Sequence, residues 1–284
     1  MLKLSLIIPT FNEERHIKAC LDAVKNQTVK PHEVIVVDNN CTDKTLEIAE
    51  QYDFVKIVKE SRQGRGYARN AGFNAATGDV LGRIDADSQI HDTWVERVLR
   101  HFGEDAELSA VTGLSYTPVV PILKWPKSTF FSRAYYWHVH GFFGTVTTWG
   151  ANMAVRKTAW NYVKDDVCLD DKAVHEDQDI ALWLAGKSLI IRQTNDLHCT
   201  AYNQSFRYLP KMLYYIRLRS NTRIYHLKAG NLPAPEAVRI SNVHRIGSYM
   251  FSVPVLFYGL ILGIIMLPLD WYMVQIRKNI DWFS

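Results

Sequence analysis

Two carboxylates one residue apart, Asp85-Ala-Asp87, close an apolar run in this chain. At i and i+2 just past a strand, they can converge on one hard divalent cation if the backbone turns there. Mg²⁺ or Mn²⁺ takes oxygen ligands and keeps waters or substrate phosphates in its other positions. A cation so placed would neutralise a diphosphate leaving group. The same pattern also serves ordinary solvated turns, so its meaning depends on its surroundings. Two other apolar runs end in polar and acidic clusters, Pro9-Thr-Phe-Asn-Glu-Glu14 and Asp38-Asn-Asn-Cys-Thr-Asp43. His198 follows a later apolar run and reads either as a third ligand or as a loop or core histidine. The pair Gly64-Arg-Gly66 does not complete a dinucleotide fingerprint. Cys20, Cys41, Cys168 and Cys199 lack metal or redox spacing and read as reduced thiols.

Those clusters need a scaffold. Leu4–Pro9, Glu33–Asp38, Val55–Lys59, Val80–Asp85 and Ser188–Ile191 read as strands. Glu13–Asn26, Asp43–Gln51 (capped by Thr42 or Asp43), Gly66–Ala76 and Thr93–Phe102 read as helices. Strand–helix alternation predicts an α/β fold with a mostly parallel central sheet flanked by helices. Ligands of such sheets sit beyond the carboxyl ends of the strands, where the acidic clusters stand. Leu4–Ile8 is too short for a secretory core and ends at Pro9.

The chain has 284 residues, 48% hydrophobic and 22% charged, which excludes a disordered or low-complexity protein. Its net charge of +4 hides an asymmetry. Residues 1–200 hold 23 basic and 26 acidic residues; residues 201–284 hold 10 and 3. An acidic body with a basic tail argues against a nucleic-acid binder and suits an anionic membrane surface. Phe206–Lys228 interleaves aromatic and basic residues like an interfacial helix, or like an ordinary helix with a basic face. Between Arg245 and Asp270 no residue is charged. As a helix that stretch is about 36 Å long, enough to span a bilayer core. A re-entrant hairpin, an interfacial helix and a buried core helix are the alternatives. Basic residues precede it, which predicts a catalytic domain on the cytoplasmic face of the cell membrane. The expected divisions are 1–204 catalytic, 205–245 juxtamembrane, 246–276 anchor and 277–284 tail.

A series of segments carries a resemblance. It runs Ser5-Leu-Ile-Ile-Pro-Thr-Phe-Asn-Glu-Glu14, Val34-Ile-Val-Val-Asp-Asn-Asn-Cys-Thr-Asp43, Arg65-Gly-Tyr-Ala-Arg-Asn-Ala-Gly72, Thr77-Gly-Asp-Val-Leu-Gly-Arg-Ile-Asp-Ala-Asp87, Trp149-Gly-Ala-Asn-Met-Ala-Val-Arg156 and His175-Glu-Asp-Gln-Asp179. In this order and spacing it closely resembles the inverting family 2 glycosyltransferases of GT-A fold, over about residues 1–200. The resemblance implies a nucleotide-diphosphate sugar as donor, UDP-linked in preference to GDP-linked. It implies that Pro9, Thr10 and Glu13 line the nucleoside pocket and that Asp38 meets the base. Arg65 or Arg69 would approach the base or diphosphate. Asp87 would be the main ligand of Mg²⁺ or Mn²⁺, with Asp85 holding ribose or supporting the metal. Trp149, Gly150 and Asn152 would form the floor near the sugar and acceptor. Asp177 would be the general base and Glu176 its acidic neighbour.

Plainer roles exist for several of these. Thr10 and Glu13 could cap a helix, Asp38 and Asn152 could hold turns, and Arg69 could pair with a carboxylate. Asp179 reads as solvent-facing or capping. The Gln-x-x-Arg-Trp motif of polymerising members is missing, and Gln204-Ser-Phe-Arg-Tyr208 is its nearest echo. That favours a single transfer, to a lipid-linked or other membrane-proximal hydroxyl. The alternatives are a polyprenyl-phosphate sugar transferase, a nucleotidyltransferase and a non-catalytic scaffold. The aromatic stretch Val119–Trp149 reads as a lid, an acceptor groove or a packed helix.

Overall fold

A computed structural model describes residues 2–116, 130–201 and 209–232. The strands at 4–10, 33–38 and 80–83 are short, apolar and buried, the character of strands covered on both faces. The first, β1 (Leu4–Thr10), lies inside the sheet between β2 (Glu33–Asp38) and β4 (Val80–Arg83), and β3 (Val55–Lys59) flanks β2. All three of these pairings are parallel. The connections run through α1 (Ile17–Lys25), α2 (Thr45–Ala49) and α3 (Arg65–Ala75).

Beyond β4 the chain adds β5 (Ser88–Ile90), α4 (Trp94–Glu104), β6 (Leu108–Tyr116), α5 (Phe130–Phe143), β7 (Met153–Arg156), α6 (Lys157–Val163), α7 (Glu176–Gly186) and β8 (Ile190–Ala201). The sheet order is β3-β2-β1-β4-β7-β6-β8-β5. Here the sheet is mixed: β7 runs antiparallel to β4 and β6, and β5 antiparallel to β8, while β6 and β8 are parallel. The expectation of a mostly parallel sheet therefore holds for the first half only.

Alternating side chains feed two cores. Leu6 and Ile8 pack with α1 and α4 on one face, around Trp94. Ile7 and Val37 pack with α3, α6 and α7 on the other, around Phe73 and Trp160, whose rings meet edge-on at 5.0 Å. Gly72 sets the approach of α3 to the sheet: a Cβ there would lie 2.4 Å from Ile7 Cγ2.

Helix α8 (Leu209–Lys228) falls where the interfacial helix was expected. The expected anchor at 246–276 and tail at 277–284 lie outside the described residues, as do 117–129 of the aromatic stretch. Among the described residues no helix is long and apolar enough to cross a membrane.

Candidate active site

Register delivers the first cluster. Thr10 stands opposite Asp38, so the loops leaving β1 and β2 rise side by side. Side chains fasten them together. Asn12 Oδ1 accepts from Thr42 N (2.8 Å), and Glu13 N donates to Thr45 Oγ1 (2.7 Å). Asn12 and Asn40 take positive φ values of 53° and 66°, which Asn tolerates. Asp38 Oδ1 accepts from Cys41 N (2.9 Å), and Thr10 Oγ1 donates to Ile8 O (2.9 Å). Buried Asn39 braces the neighbouring loop, donating to the carbonyls of Glu60 and Arg62 and accepting from Gly64 N.

The second cluster is a turn. Ser88 N donates to Asp85 O (2.9 Å), folding Asp85-Ala86-Asp87 back on itself between β4 and β5. The Asp85 side chain is 41% exposed. Burial, the Asp85 charge and Glu13 push Asp87 up to about 6. Burial also raises Asp85, against the pull of Arg83 and with help from Glu176 and Asp177. Two oxygen donors whose ionisation is disfavoured, Asp87 by burial and the Asp85 charge and Asp85 by burial and the Glu176 and Asp177 charges, fit a hard divalent cation. Among the described residues no group of three or more His, Cys, Asp or Glu assembles for a metal. A cation here would take its remaining oxygens from water and substrate.

The third cluster lies under the second. β4 pairs with β7 so that Arg83 faces Met153, which brings the segment before β7 against the Arg83 guanidinium. A Cβ on Gly150 would fall 2.5 Å from Arg83 Cζ. Arg83 grips Glu176 with two bonds, Nη1 to Oε2 (2.7 Å) and Nη2 to Oε1 (2.8 Å), and reaches Asp85 Oδ1 at 3.1 Å. Arg69 donates to Glu176 O (2.6 Å) and lies 3.5 Å from its carboxylate. One guanidinium thus ties the Asp85 turn to the start of α7.

Asp177 sits beside this pair. Its Oδ2 accepts from Gly150 N (2.9 Å), its Oδ1 from Gln178 N (2.7 Å), and His175 Nδ1 lies 2.5 Å from Oδ1. Burial alone would raise its pKa, but His175, Arg83 and the Gly150 N–H hold it well below the usual carboxylate range. Glu176 is likewise lowered, by Arg83 first, against its burial and the neighbouring Asp177.

The structure brings Pro9, Thr10, Glu13, Asp38, Asp85, Asp87, Trp149, Gly150, Glu176 and Asp177 to the strand ends and the start of α7, and corrects three roles, those of Arg69, Asn152 and Asp179. Arg69 is fully buried and bonded to Asn70 and Glu176, so it holds α7 and does not reach a donor. Asn152 is fully buried, accepting from Trp94 Nε1 (2.7 Å) and donating to the carbonyls of Leu114 and Leu197. It supports the floor from beneath and does not line it. Asp179 is also fully buried, not solvent-facing, and accepts from Cys168 N and His226 Nε2. His198 engages Tyr116 and the Asn195 carbonyl, its histidine-as-structure reading. Arg65 remains part-exposed, paired with Asp171 Oδ2 at 3.0 Å. Sequence reasoning gave no role to Arg83, His175, Asn39 or Asp171. The signal for Arg83 was a lone basic residue in a strand buried on both faces.

A mixed α/β sheet with an acidic turn at its switch point is a GT-A-type architecture. The family model described as glycosyl transferase family 2 matches residues 5–163, over half of the chain. The chain belongs to glycosyltransferase family 2. Among curated relatives, glycosyltransferase AglE of Haloferax volcanii is 42% identical over 100 residues, 33% of either chain. The chain spans about a third of the length of the first curated relatives it matches. Among solved structures, Staphylococcus aureus TarS 1–349 in complex with UDP-GlcNAc aligns with a TM-score of 0.53 and 21% identity, over 71% of this chain and 59% of that one. The mannosyltransferase PcManGT of Pyrobaculum calidifontis, in complex with GDP-Man and Mn²⁺, aligns with a TM-score of 0.57 and 18% identity, over 95% and 88%. At such identities the likeness is one of fold.

Proposed function

We propose that this chain moves one sugar, with inversion, from a nucleotide-diphosphate sugar to a hydroxyl on a lipid-linked or membrane-proximal acceptor. The observation that carries the reading is the Arg83 bridge, which links the Asp85–Asp87 turn to the Glu176–Asp177 start of α7. A cation-type carboxylate pair and a buried, ionised carboxylate thereby stand on either side of one guanidinium.

Pro9, Thr10, Glu13 and Asp38 frame the nucleoside, and Arg65 supplies positive charge on the donor side. Asp87, with Asp85, would hold Mg²⁺ or Mn²⁺, which when bound offsets charge on the departing diphosphate. Trp149 and Gly150 floor the acceptor side. Asp177 drives removal of the acceptor proton, and fixing both substrates in line supplies much of the remaining acceleration. The exposed Tyr214, Ile224, Tyr225 and Leu227 of α8, among Arg217 and Lys228, support a headgroup contact. With the uncharged 246–269 segment they support a place on the cytoplasmic face of the cell membrane.

A second reading has its own observation. Asp177 is held far below the usual carboxylate range and is a weak base. A polyprenyl-phosphate acceptor is already ionised near neutral pH and needs none.

Purified protein with UDP, GDP, dTDP or CMP, each with and without Mn²⁺ or Mg²⁺, tests the donor site by thermal shift. A ligand at 100 times its dissociation constant adds about 2.7 kcal/mol. A metal-dependent shift with one nucleotide is the expected result. No shift with any would turn the reading towards a non-catalytic scaffold.

A further inference from the structure

We propose that Arg219 and Arg223 of α8 form an anion subsite on the acceptor side, which holds a phosphate or diphosphate ester carried by the acceptor. The inference rests on the glycosyl-transfer reading above and names the chemistry of its acceptor.

The two arginines stand four residues apart on α8, so their side chains leave the same face of the helix. Like charges at that spacing repel. Among the described residues neither is paired with a carboxylate, and the Nε of each is buried without a partner. Other arginines of the fold are engaged differently. Arg65 bonds to Asp171, Arg69 to the Glu176 carbonyl, Arg83 to the Glu176 carboxylate and Arg156 to the carbonyls of Phe102, Asp105 and Leu108.

Arg219 and Arg223 lie instead over aromatic rings of α5. Arg219 Cζ is 5.2 Å from the centroid of Tyr135, whose hydroxyl it also reaches, and Arg223 Cζ is 5.4 Å from that of Phe142. A ring face steadies a cation without using up its five N–H groups. What remains is a pair of planar, permanently charged forks with donors to spare, the arrangement that suits phosphate oxygens.

The place adjoins the start of α7, where the proposed function puts the attacking hydroxyl. Tyr135 Oη accepts from Gln178 Nε2 (3.2 Å), and Gln178 follows Asp177 in the first turn of α7. Thr222, between the two arginines in sequence, accepts the His175 N–H just before that turn (2.7 Å). Gln178 is fully buried, and its Oε1 has no partner either. A buried carbonyl oxygen calls for a donor, and a sugar hydroxyl is one. Tyr135 thus joins an unpaired acceptor for a hydroxyl to an unpaired cation for an oxyanion. A sugar bearing a phosphate or diphosphate ester presents both groups.

The test uses the full chain in EDTA, which removes any cation bridging an anion to Asp85 and Asp87. Pyrophosphate, glucose 1-phosphate and farnesyl diphosphate are titrated by thermal shift at constant ionic strength. At least one should bind, and replacing both arginines (Arg219→Gln with Arg223→Gln) should weaken that binding about tenfold or more. No ion pair is lost in that variant, so its Tm should stay within about 2 °C of wild type. Tighter binding of farnesyl diphosphate would assign a lipid-borne ester, and equal or tighter binding of glucose 1-phosphate a soluble one. No shift with any of the three overturns the proposal, as does binding kept within about threefold by the Gln pair. So does loss of the nucleotide shift with Mn²⁺ in that pair, which would move the arginines to the donor. Should the Gln pair not fold, Arg219→Lys with Arg223→Lys keeps the charge and loses the forks; its binding should be intermediate, and wild-type affinity overturns the proposal. If UDP, GDP, dTDP and CMP all fail to shift the wild type with metal, the glycosyl-transfer reading fails, and the pyrophosphate titration still decides the anion subsite.

Discussion

Glu176 stands next to Asp177 in an acidic motif, but its geometry makes it the counter-charge of two buried guanidinium groups. The Glu176→Gln variant separates these roles. It keeps the volume and removes the anion that accepts both bonds from Arg83 and faces Arg69 at 3.5 Å. Arg69 and Glu176 are essentially without solvent contact, and Arg83 keeps only the Asp85 contact at 3.1 Å. Breaking one partner out of a buried pair costs about 3–5 kcal/mol, because the remaining charge stays desolvated. For a domain of about 200 residues, 1 kcal/mol moves Tm by about 2–4 °C. The expected fall in Tm is therefore roughly 6–20 °C, read by calorimetry on the metal-free protein. Arg83→Met should fall similarly. The double variant should fall by less than the sum, since removing both partners leaves no orphaned charge on that side. If Glu176→Gln kept its Tm within about 2 °C of wild type yet lost turnover, the pair would not be the stabilising unit argued here, and Glu176 would belong among the reacting groups.

Other outcomes follow from the same contacts. Gly150→Ala places a Cβ 2.5 Å from Arg83 Cζ, so the guanidinium must shift; both Tm and turnover should fall, and a variant with wild-type kinetics would contradict the packing. Asp87 has its pKa raised from 3.8 to about 6, so the folded state holds that proton more tightly than the unfolded chain does. The metal-free protein should lose stability from this group as pH rises through that window, and the thermal shift given by Mn²⁺ should shrink as pH falls below about 6. Asp87→Asn should raise the metal-free Tm at pH 7.5 and abolish the Mn²⁺ shift. His226→Ala removes the partner of buried Asp179 at 2.9 Å, and hydrogen exchange should show α8 loosened from α7. Vesicles containing anionic lipid should co-sediment the full chain, and replacing Arg217 and Lys228 by Glu should weaken that binding; equal binding to neutral vesicles would remove the electrostatic part of the membrane reading.

The half of the fold legible in the sequence is the half with simple periodicity. Leu4–Thr10, Glu33–Asp38 and Val80–Arg83 are uninterrupted buried strands whose ends carry the polar clusters. The helices among them were placed within a few residues. β7 has only four residues, β5 three, and β6 carries Ser, Thr and Gly among its apolar residues, so none shows a strand pattern of its own. Their pairing is set by long-range register, and with it the mixed half of the sheet. The site divided in the same way. Asp85 and Asp87 stood out because the ordered series of segments around them set them apart from the solvated turns that the same pair of carboxylates commonly makes. The fates of Arg69, Asn152 and Asp179 were not, because a polar residue's partner 30 or more positions away leaves no local mark. In α7 the run Glu176-Asp177-Gln178-Asp179 looks like a solvated first turn, yet all four side chains are buried. Only the fold supplies Arg83, Gly150, Tyr135 and His226 to receive them.

Those four buried residues also say why the basic segment matters to the chemistry. Helix α8 is the point where the chain's charge turns from acidic to basic, and its inner face is fastened to α3, to α7 and to the residue before α7. His226 pairs with Asp179, Thr222 takes the His175 N–H, and the Tyr215 ring lies against His175 and Arg65. These contacts fall on the first turn of α7 and on Arg65, the two places where, under the proposed function, a small displacement costs most in positioning. A helix that served only as a tether could be joined to the domain anywhere. One packed against the start of α7 and against Arg65 makes their placement depend on its own. In the membrane reading, whatever holds the outer face of α8 at the headgroups also fixes the depth at which the start of α7 meets an acceptor.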